Sequence, residues 1–208
     1  MKRITSLMIA SIALIAVSCN NTETNDEENE TVEAVTYTLD VEASSLAWAA
    51  NMGPEYGHEG TVKVTDGSLT MQGETLTTGI FTIDMSTIKS TDLDEPKASS
   101  LAAHLKGSAP DEKHPADLFF NVPQFPTVSV TLNSFEDGKL NLTLDIIGKK
   151  LTQDAEVELT SDENGASIKG DFALDLTSLE IPGLQPDPED DSQINPKIDF
   201  SLNISLKK

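Results

Sequence analysis

From Ile198 to Leu206 the chain alternates without a break. Ile198, Phe200, Leu202, Ile204 and Leu206 stand against Asp199, Ser201, Asn203 and Ser205. A stripe of period two is a β-strand with one dry face and one wet face. The segment Leu140 to Ile146 repeats it, with Leu140, Leu142, Leu144 and Ile146 set against Asn141, Thr143 and Asp145. A sheet with a single apolar face must cover that face, so it closes on itself or packs on a second sheet. This constraint points to an all-β chain before any motif is considered.

The remaining segments fit the same plan. Tyr37–Val41, Leu46–Ala50, Gly60–Thr65, Ser68–Gln72 and Thr75–Ile88 read as strands. Asp66-Gly67 reads as a two-residue hairpin turn between the third and fourth of these. Val128–Phe135 pairs with Lys139–Ile147 across Glu136-Asp137-Gly138, and Gly148-Lys149-Lys150 turns the chain. Leu151–Thr160 and Ser167–Leu176 form a hairpin around Asp162–Gly165. There is no internal repeat and no helix-rich half. The reading is a single antiparallel β-barrel of about eight strands, a size that either fills with side chains or holds one small ligand.

One stretch interrupts this plan. Leu101 to Lys106 reads as a short helix carrying His104, stopped by Gly107. A polar loop with Pro110 and Pro115 follows. Phe119-Phe120 then leads through Pro123 and Pro126 into the next strand. A lone helix and an aromatic pair inserted into a β-chain suit the plug or lining of a barrel end, and they suit the cap of a filled core equally well.

The N-terminus reads differently. Lys2 and Arg3 precede an apolar run, Leu7 to Val17, that is short for a membrane span and ends at Ala16-Val17-Ser18-Cys19. This is the layout of a secretory signal. Cys19 stands where bacterial lipoprotein signals place the lipidated cysteine. It is the only cysteine of the chain, so no internal disulfide can form. Residues 1–19 are therefore expected to be a lipoprotein signal peptide with Cys19 as lipidation site. Residues 20–36 hold six acidic residues and no basic one. They read as a flexible, self-repelling tether, and residues 37–208 as the domain. The acidic run just after the cysteine resembles a surface-export signal of bacterial lipoproteins. The expected location is the cell envelope, at the outer membrane and in the surface-exposed case beyond it, with the periplasmic face as the alternative.

Charge narrows the partners. The net charge is −21, and removing residues 1–18 takes away two positive charges and no acid, leaving −23. So acidic a surface repels nucleic acid and anionic lipid faces. The chemistry of catalysis is thin. His58, His104 and His114 have no zinc-protease spacing, and no cysteine assists them. His58 and His104 read as histidines hydrogen-bonded to backbone at barrel ends, and no metal or cofactor is expected. Asp187–Asp191, reading DPEDD, lacks the glycine and glutamate of a calcium loop and reads as solvated. No G-x-S-x-G elbow occurs. The large groups available for an interior are Trp48, Phe81, Met85, Leu101, Leu105, Phe119, Phe120, Phe125, Phe172 and Phe200.

The order Leu101, His104-Leu105-Lys106, Phe119-Phe120, Val122, Phe125-Pro126-Thr127 resembles the signature of the YceI-like family. Tyr37, Leu39-Asp40, Ser45, Trp48, His58 and Gly60 resemble its opening strands. Phe81, Ile83, Asp84 and Met85 resemble a later strand. Leu142, Leu144, Ile147-Gly148 and Lys149 resemble its central hairpin. Two departures stand out. The loop Gly107–Asp117 is longer than the family's. Leu176-Thr177-Ser178-Leu179-Glu180-Ile181 lacks the arginine and aromatic that the family often places there.

The resemblance implies a lipocalin-like barrel that holds a polyisoprenoid or related lipid. It turns the ten large apolar residues from filler into an expected ligand lining. The expected partners are an isoprenoid or other apolar lipid, which the resemblance implies, the membrane through Cys19, no nucleic acid, and in one variant a second copy as a homodimer. The protein is then not an enzyme. The alternatives are an envelope enzyme using His104 and a nearby carboxylate on a lipid or glycan, and a non-catalytic surface adhesin.

Overall fold

The structure is a computed structural model that describes residues 32–53, 56–185 and 194–208. The signal segment, Cys19, most of the tether and Asp187–Asp191 lie outside the described residues.

Ten strands are present among the described residues: β1 (Ala34–Leu39), β2 (Ser45–Asn51), β3 (Gly57–Gln72), β4 (Thr75–Ser90), β5 (Thr127–Glu136), β6 (Lys139–Ile146), β7 (Lys149–Glu156), β8 (Glu158–Ser161), β9 (Gly165–Asp175) and β10 (Lys197–Lys207). One helix, α1 (Lys97–Lys106), lies between β4 and β5, and two short 3-10 turns, Thr177–Leu179 and Pro182–Leu184, follow β9. All pairings are antiparallel, in the order β7-β6-β5-β4-β3-β1-β10-β9-β8.

The ten strands occupy eight positions around a barrel. β1 and β2 share one slot between β3 and β10. β1 pairs with the far half of β3, and β2 pairs with its near half, Gly57–Val62. β7 and β8 share another slot. β7 pairs with β6, then the chain changes partner at Val157 and β8 pairs with β9. The barrel of about eight strands expected from the alternation is therefore eight-sided, with two sides each made of two short strands.

Where β7 and β9 face each other, a side chain closes the wall. The Gln153 carboxamide donates to the Asp175 carbonyl at 2.6 Å and accepts from the Asp175 N–H at 3.0 Å. It imitates a backbone pair at a place where no ladder forms.

Five expectations change. The hairpin expected of Leu151–Thr160 and Ser167–Leu176 is divided at Val157, for Lys149–Glu156 pairs with β6 and only Glu158–Ser161 pairs with β9. Asp66-Gly67 is not a hairpin turn, for β3 runs straight through it with register shifts on either side of Val64. Asp66 Oδ1 accepts the Gly67 N–H at 2.9 Å, and a bulge absorbs the irregularity. The first strand starts at Ala34 rather than Tyr37, because Ala34–Thr36 gain a full ladder against β3. Val41 lies beyond β1 and is exposed. Finally, α1 starts one turn earlier than Leu101. Its first turn, Lys97-Ala98-Ser99-Ser100, carries no apolar stripe, so periodicity gave no sign of it.

The two ends of the barrel differ. One end carries tight hairpins: the β3–β4 turn at Gly73, the β5–β6 turn at Asp137-Gly138 and the β8–β9 turn at Asp162–Asn164. The other end carries every long connection, including α1, the segment to Thr127 and the 3-10 turns.

Candidate functional site: an apolar cavity

Alternation sends one face of each strand inward. β6 contributes Leu140, Leu142, Leu144 and Ile146, and β10 contributes Ile198, Phe200, Leu202 and Ile204. These chains do not meet across the axis. They enclose a cavity of about 180 Å³ whose lining among the described residues is apolar throughout.

Two bare backbones on β3 help to keep it open. A Cβ on Gly60 would stand 2.5 Å from Trp48 Cζ2, so the indole lies flat against the β3 wall. A Cβ on Gly67 would stand 2.2 Å from Phe81 Cδ1, so that ring is also laid against the wall. In each case the absent side chain gives its volume to an aromatic that would otherwise project into the lumen. Trp48 Nε1 is buried without a hydrogen-bond partner, a cost of about 1–3 kcal/mol that the surrounding packing must offset.

The mouth is at the end with the long connections. Leu105 from the last turn of α1, Phe119, Phe120 and Leu184 reach the cavity from there. Main-chain bonds fix these pieces together. Phe120 N–H donates to the Leu105 carbonyl at 3.2 Å, Val122 N–H to the Lys106 carbonyl at 2.8 Å and Gly183 N–H to the Leu118 carbonyl at 2.7 Å. Gly183 is bare because the Phe119 ring would stand 2.6 Å from its Cβ.

Of the ten residues picked from the sequence, Trp48, Phe81, Met85, Leu105, Phe119, Phe120, Phe172 and Phe200 line this cavity. Phe172 and Phe200 are register partners on β9 and β10, with ring centroids 6.1 Å apart. Leu101 and Phe125 do not line it. Leu101 lies one helical turn before Leu105 in α1 and is not part of the lining. Phe125 packs beneath the β6–β7 turn, at ordinary contact with the Gly148 position. Much of the wall is aliphatic, and side-chain size alone does not mark it. Leu46, Val62, Val64, Val128, Ile168 and Leu174 belong to it, and period-two alternation was the signal that places them. Where the family's arginine and aromatic are lacking, Leu176 reaches the cavity and Leu179 and Ile181 are buried beside it. That side of the mouth is closed by aliphatic packing.

The polar groups sit outside the lumen. His104 stands edge-on to Phe119, with centroids 5.0 Å apart, and edge-on to His114 at 4.8 Å. Burial and the neighbouring His114 hold its imidazole below the ordinary histidine value, against a smaller upward pull from Asp111. Asp111 itself is hydrogen-bonded to His114 Nδ1 at 3.1 Å. His58 bonds Asp92 at 2.8 Å through Nδ1, with Tyr56 OH 3.1 Å from its Nε2. Partial burial raises the Asp92 carboxyl, but bonds from His58, Ser90 and the Glu59 N–H outweigh it and bring the carboxyl down to about 2. His58 and His104 thus meet side chains and rings rather than the backbone groups expected of them. On the far rim Lys149 Nζ donates to the Leu179 carbonyl and lies 3.7 Å from Glu180.

Solved structures share this architecture. BcnA of Burkholderia cenocepacia matches over 80% of this chain and 98% of its own, at 13% identity and a TM-score of 0.62. A polyisoprenoid-binding domain from Saccharophagus degradans implicated in plant cell wall breakdown matches over 82% and 97%, at 13% identity and a TM-score of 0.56. No curated protein matches the sequence. The model of the YceI-like domain covers residues 37–206, from the buried Tyr37 of β1 to the buried Leu206 of β10, and the chain belongs to that family.

Proposed function

We propose that this protein is a membrane-anchored lipid-binding protein that holds an isoprenoid or similar apolar ligand in the barrel for carriage, storage or sensing. The observation that carries the reading is the cavity itself, enclosed by aliphatic and aromatic side chains. Such a wall excludes water and, among the described residues, offers no group to take or give a proton, which favours binding over catalysis. The polyisoprenoid-binding domain of Saccharophagus degradans, alike in fold, supports the ligand class. A ligand drawn from a bilayer leaves one hydrocarbon environment for another, so its transfer is close to neutral and suits reversible uptake. Cys19 supplies the anchor at the outer membrane, and residues 20–33 the acidic tether.

Native mass measurement of the purified protein tests the reading, with an apolar adduct as the expected result. Phe120→Asp places a carboxylate on the cavity wall, where burial costs several kcal/mol or forces protonation. Thr143→Asp places one on the outer face, beside the Thr152 hydroxyl and the Asn133 carboxamide. Retention falls in the first variant and persists in the second. Equal retention by two folded variants would remove the cavity as the binding site. An empty protein with a turnover that depends on His104 would favour the enzyme reading. Cys19→Ala is expected to abolish palmitate labelling and membrane fractionation together, and labelling that persists would dismiss Cys19 as the anchor.

A further inference from the structure

The cavity does not run the length of the barrel. One row of backbone partners crosses five strands: Leu142 on β6, Leu132 on β5, Gly79 on β4, Leu69 on β3 and Tyr37 on β1. Leu142 and Leu132 line the cavity, whereas Leu69 and Tyr37 do not. Leu69 is 0% exposed and Tyr37 4%. Nearer the hairpin end, Met71, Leu76, Ala155, Ala166 and Leu206 are buried as well, and none of them touches the cavity. Leu140, one step below the row on β6, still touches the cavity, and the rest of that end is a filled core. The Tyr37 hydroxyl pins it by donating to the Asp162 carbonyl at 2.8 Å.

The two closures are unlike in kind. The floor is an interlocked layer of sheet side chains, where forced insertion of extra volume strains a packed core. The mouth is a helix end and two loops joined by a few main-chain bonds. Opening at the mouth therefore costs less than deepening the floor. The volume also bears on size, since a cavity of roughly 150 Å³ is enough for benzene, and this one is about 180 Å³.

We propose that the barrel is a length-limited pocket that takes a short apolar chain, of one or two isoprene units, tail first through the mouth, with Leu69 and Tyr37 setting the limit. This deepens the lipid-binding reading and rests on it. Any further units stay at the mouth in contact with water and add little to affinity.

The test titrates full-length protein with prenyl alcohols of one to five isoprene units, without detergent. Trp48, the only tryptophan and part of the lining, is the fluorescent reporter. Each buried methylene is worth roughly fourfold in affinity, so Kd is expected to fall steeply between one and two units. Beyond two units it is expected to change by less than about twofold, because an exposed methylene gains nothing. Leu69→Ala hollows the floor and moves the plateau one unit longer, while Leu142→Phe fills the lumen above it and moves the plateau shorter. Circular dichroism verifies both folds, and the filling variant decides alone if the hollowed one does not fold. A wild-type Kd that keeps falling through five units overturns the length limit and leaves lipid binding intact. So does a plateau that neither variant moves. No binding at any length overturns both.

Discussion

His104 shows how one residue ties the mouth to the solvent. Its ring is edge-on to the cavity residue Phe119 on one side and to His114 on the other. The charged groups that act on it are His114 and Asp111, both on the loop that follows α1. Burial, and then His114, lower its proton affinity in the folded state below the ordinary value of 6.5. The unfolded chain thus takes the proton first as pH falls. Stability is complete above 6.5, and it is lost as pH drops from there through the lower folded value. Thermal unfolding followed between pH 7.5 and 5 is expected to show this decline, and His104→Gln to flatten it. An unchanged slope in the variant would assign the decline to other groups. Asp92 acts in another window. Its carboxyl is lowered from 3.8 to about 2, so its contribution is present above 3.8 and is lost as pH falls from there through about 2.

At the scale of elements, the seam between β7 and β9 carries the sharpest expectation. Gln153→Ala leaves the N–H and carbonyl of Asp175 without their side-chain partner. Unfolding in urea should show a loss of about 1–3 kcal/mol. Gln153→Glu keeps an acceptor for the N–H but loses the donor to the carbonyl, so it should not rescue. A variant as stable as the parent would mean that the barrel closes without this bridge. Nothing in the sequence marks Gln153, because a lone glutamine on a strand is ordinary and its role exists only once two distant strands meet. The same limit explains Asp66-Gly67. The dipeptide favours a turn locally, yet Gly67 is needed where the Phe81 ring presses on β3, a contact fourteen residues away in sequence. Strand faces were legible because alternation is local: Leu140 to Ile146 and Ile198 to Leu206 point where the stripe says. Bulky lining residues were legible as a group. Leu101 and Phe125 were not separable from them, since chain order does not say how far a helix reaches over a barrel end.

For the molecule as a whole, charge decides which head group the mouth can accept. The insertion and adjoining turns hold Lys89, Lys97, Lys106 and Lys113, against Asp92, Asp94, Glu95, Asp111, Glu112 and Asp117. Lys149 is already engaged by the Leu179 carbonyl and Glu180. The only arginine of the chain is Arg3, so the barrel domain has no guanidinium fork to hold a phosphate. The net charge of −21 adds a repulsive field at longer range. A ligand whose tail enters the cavity and whose head stays at this rim should therefore be neutral, as a quinone or prenyl alcohol is. Competition between a prenyl alcohol and its phosphate is expected to favour the alcohol, and the preference should shrink as salt screens the field over about 10 Å. Tighter binding of the phosphate at low ionic strength would overturn this, and would mean that the mouth lysines converge on the head group when the ligand is bound.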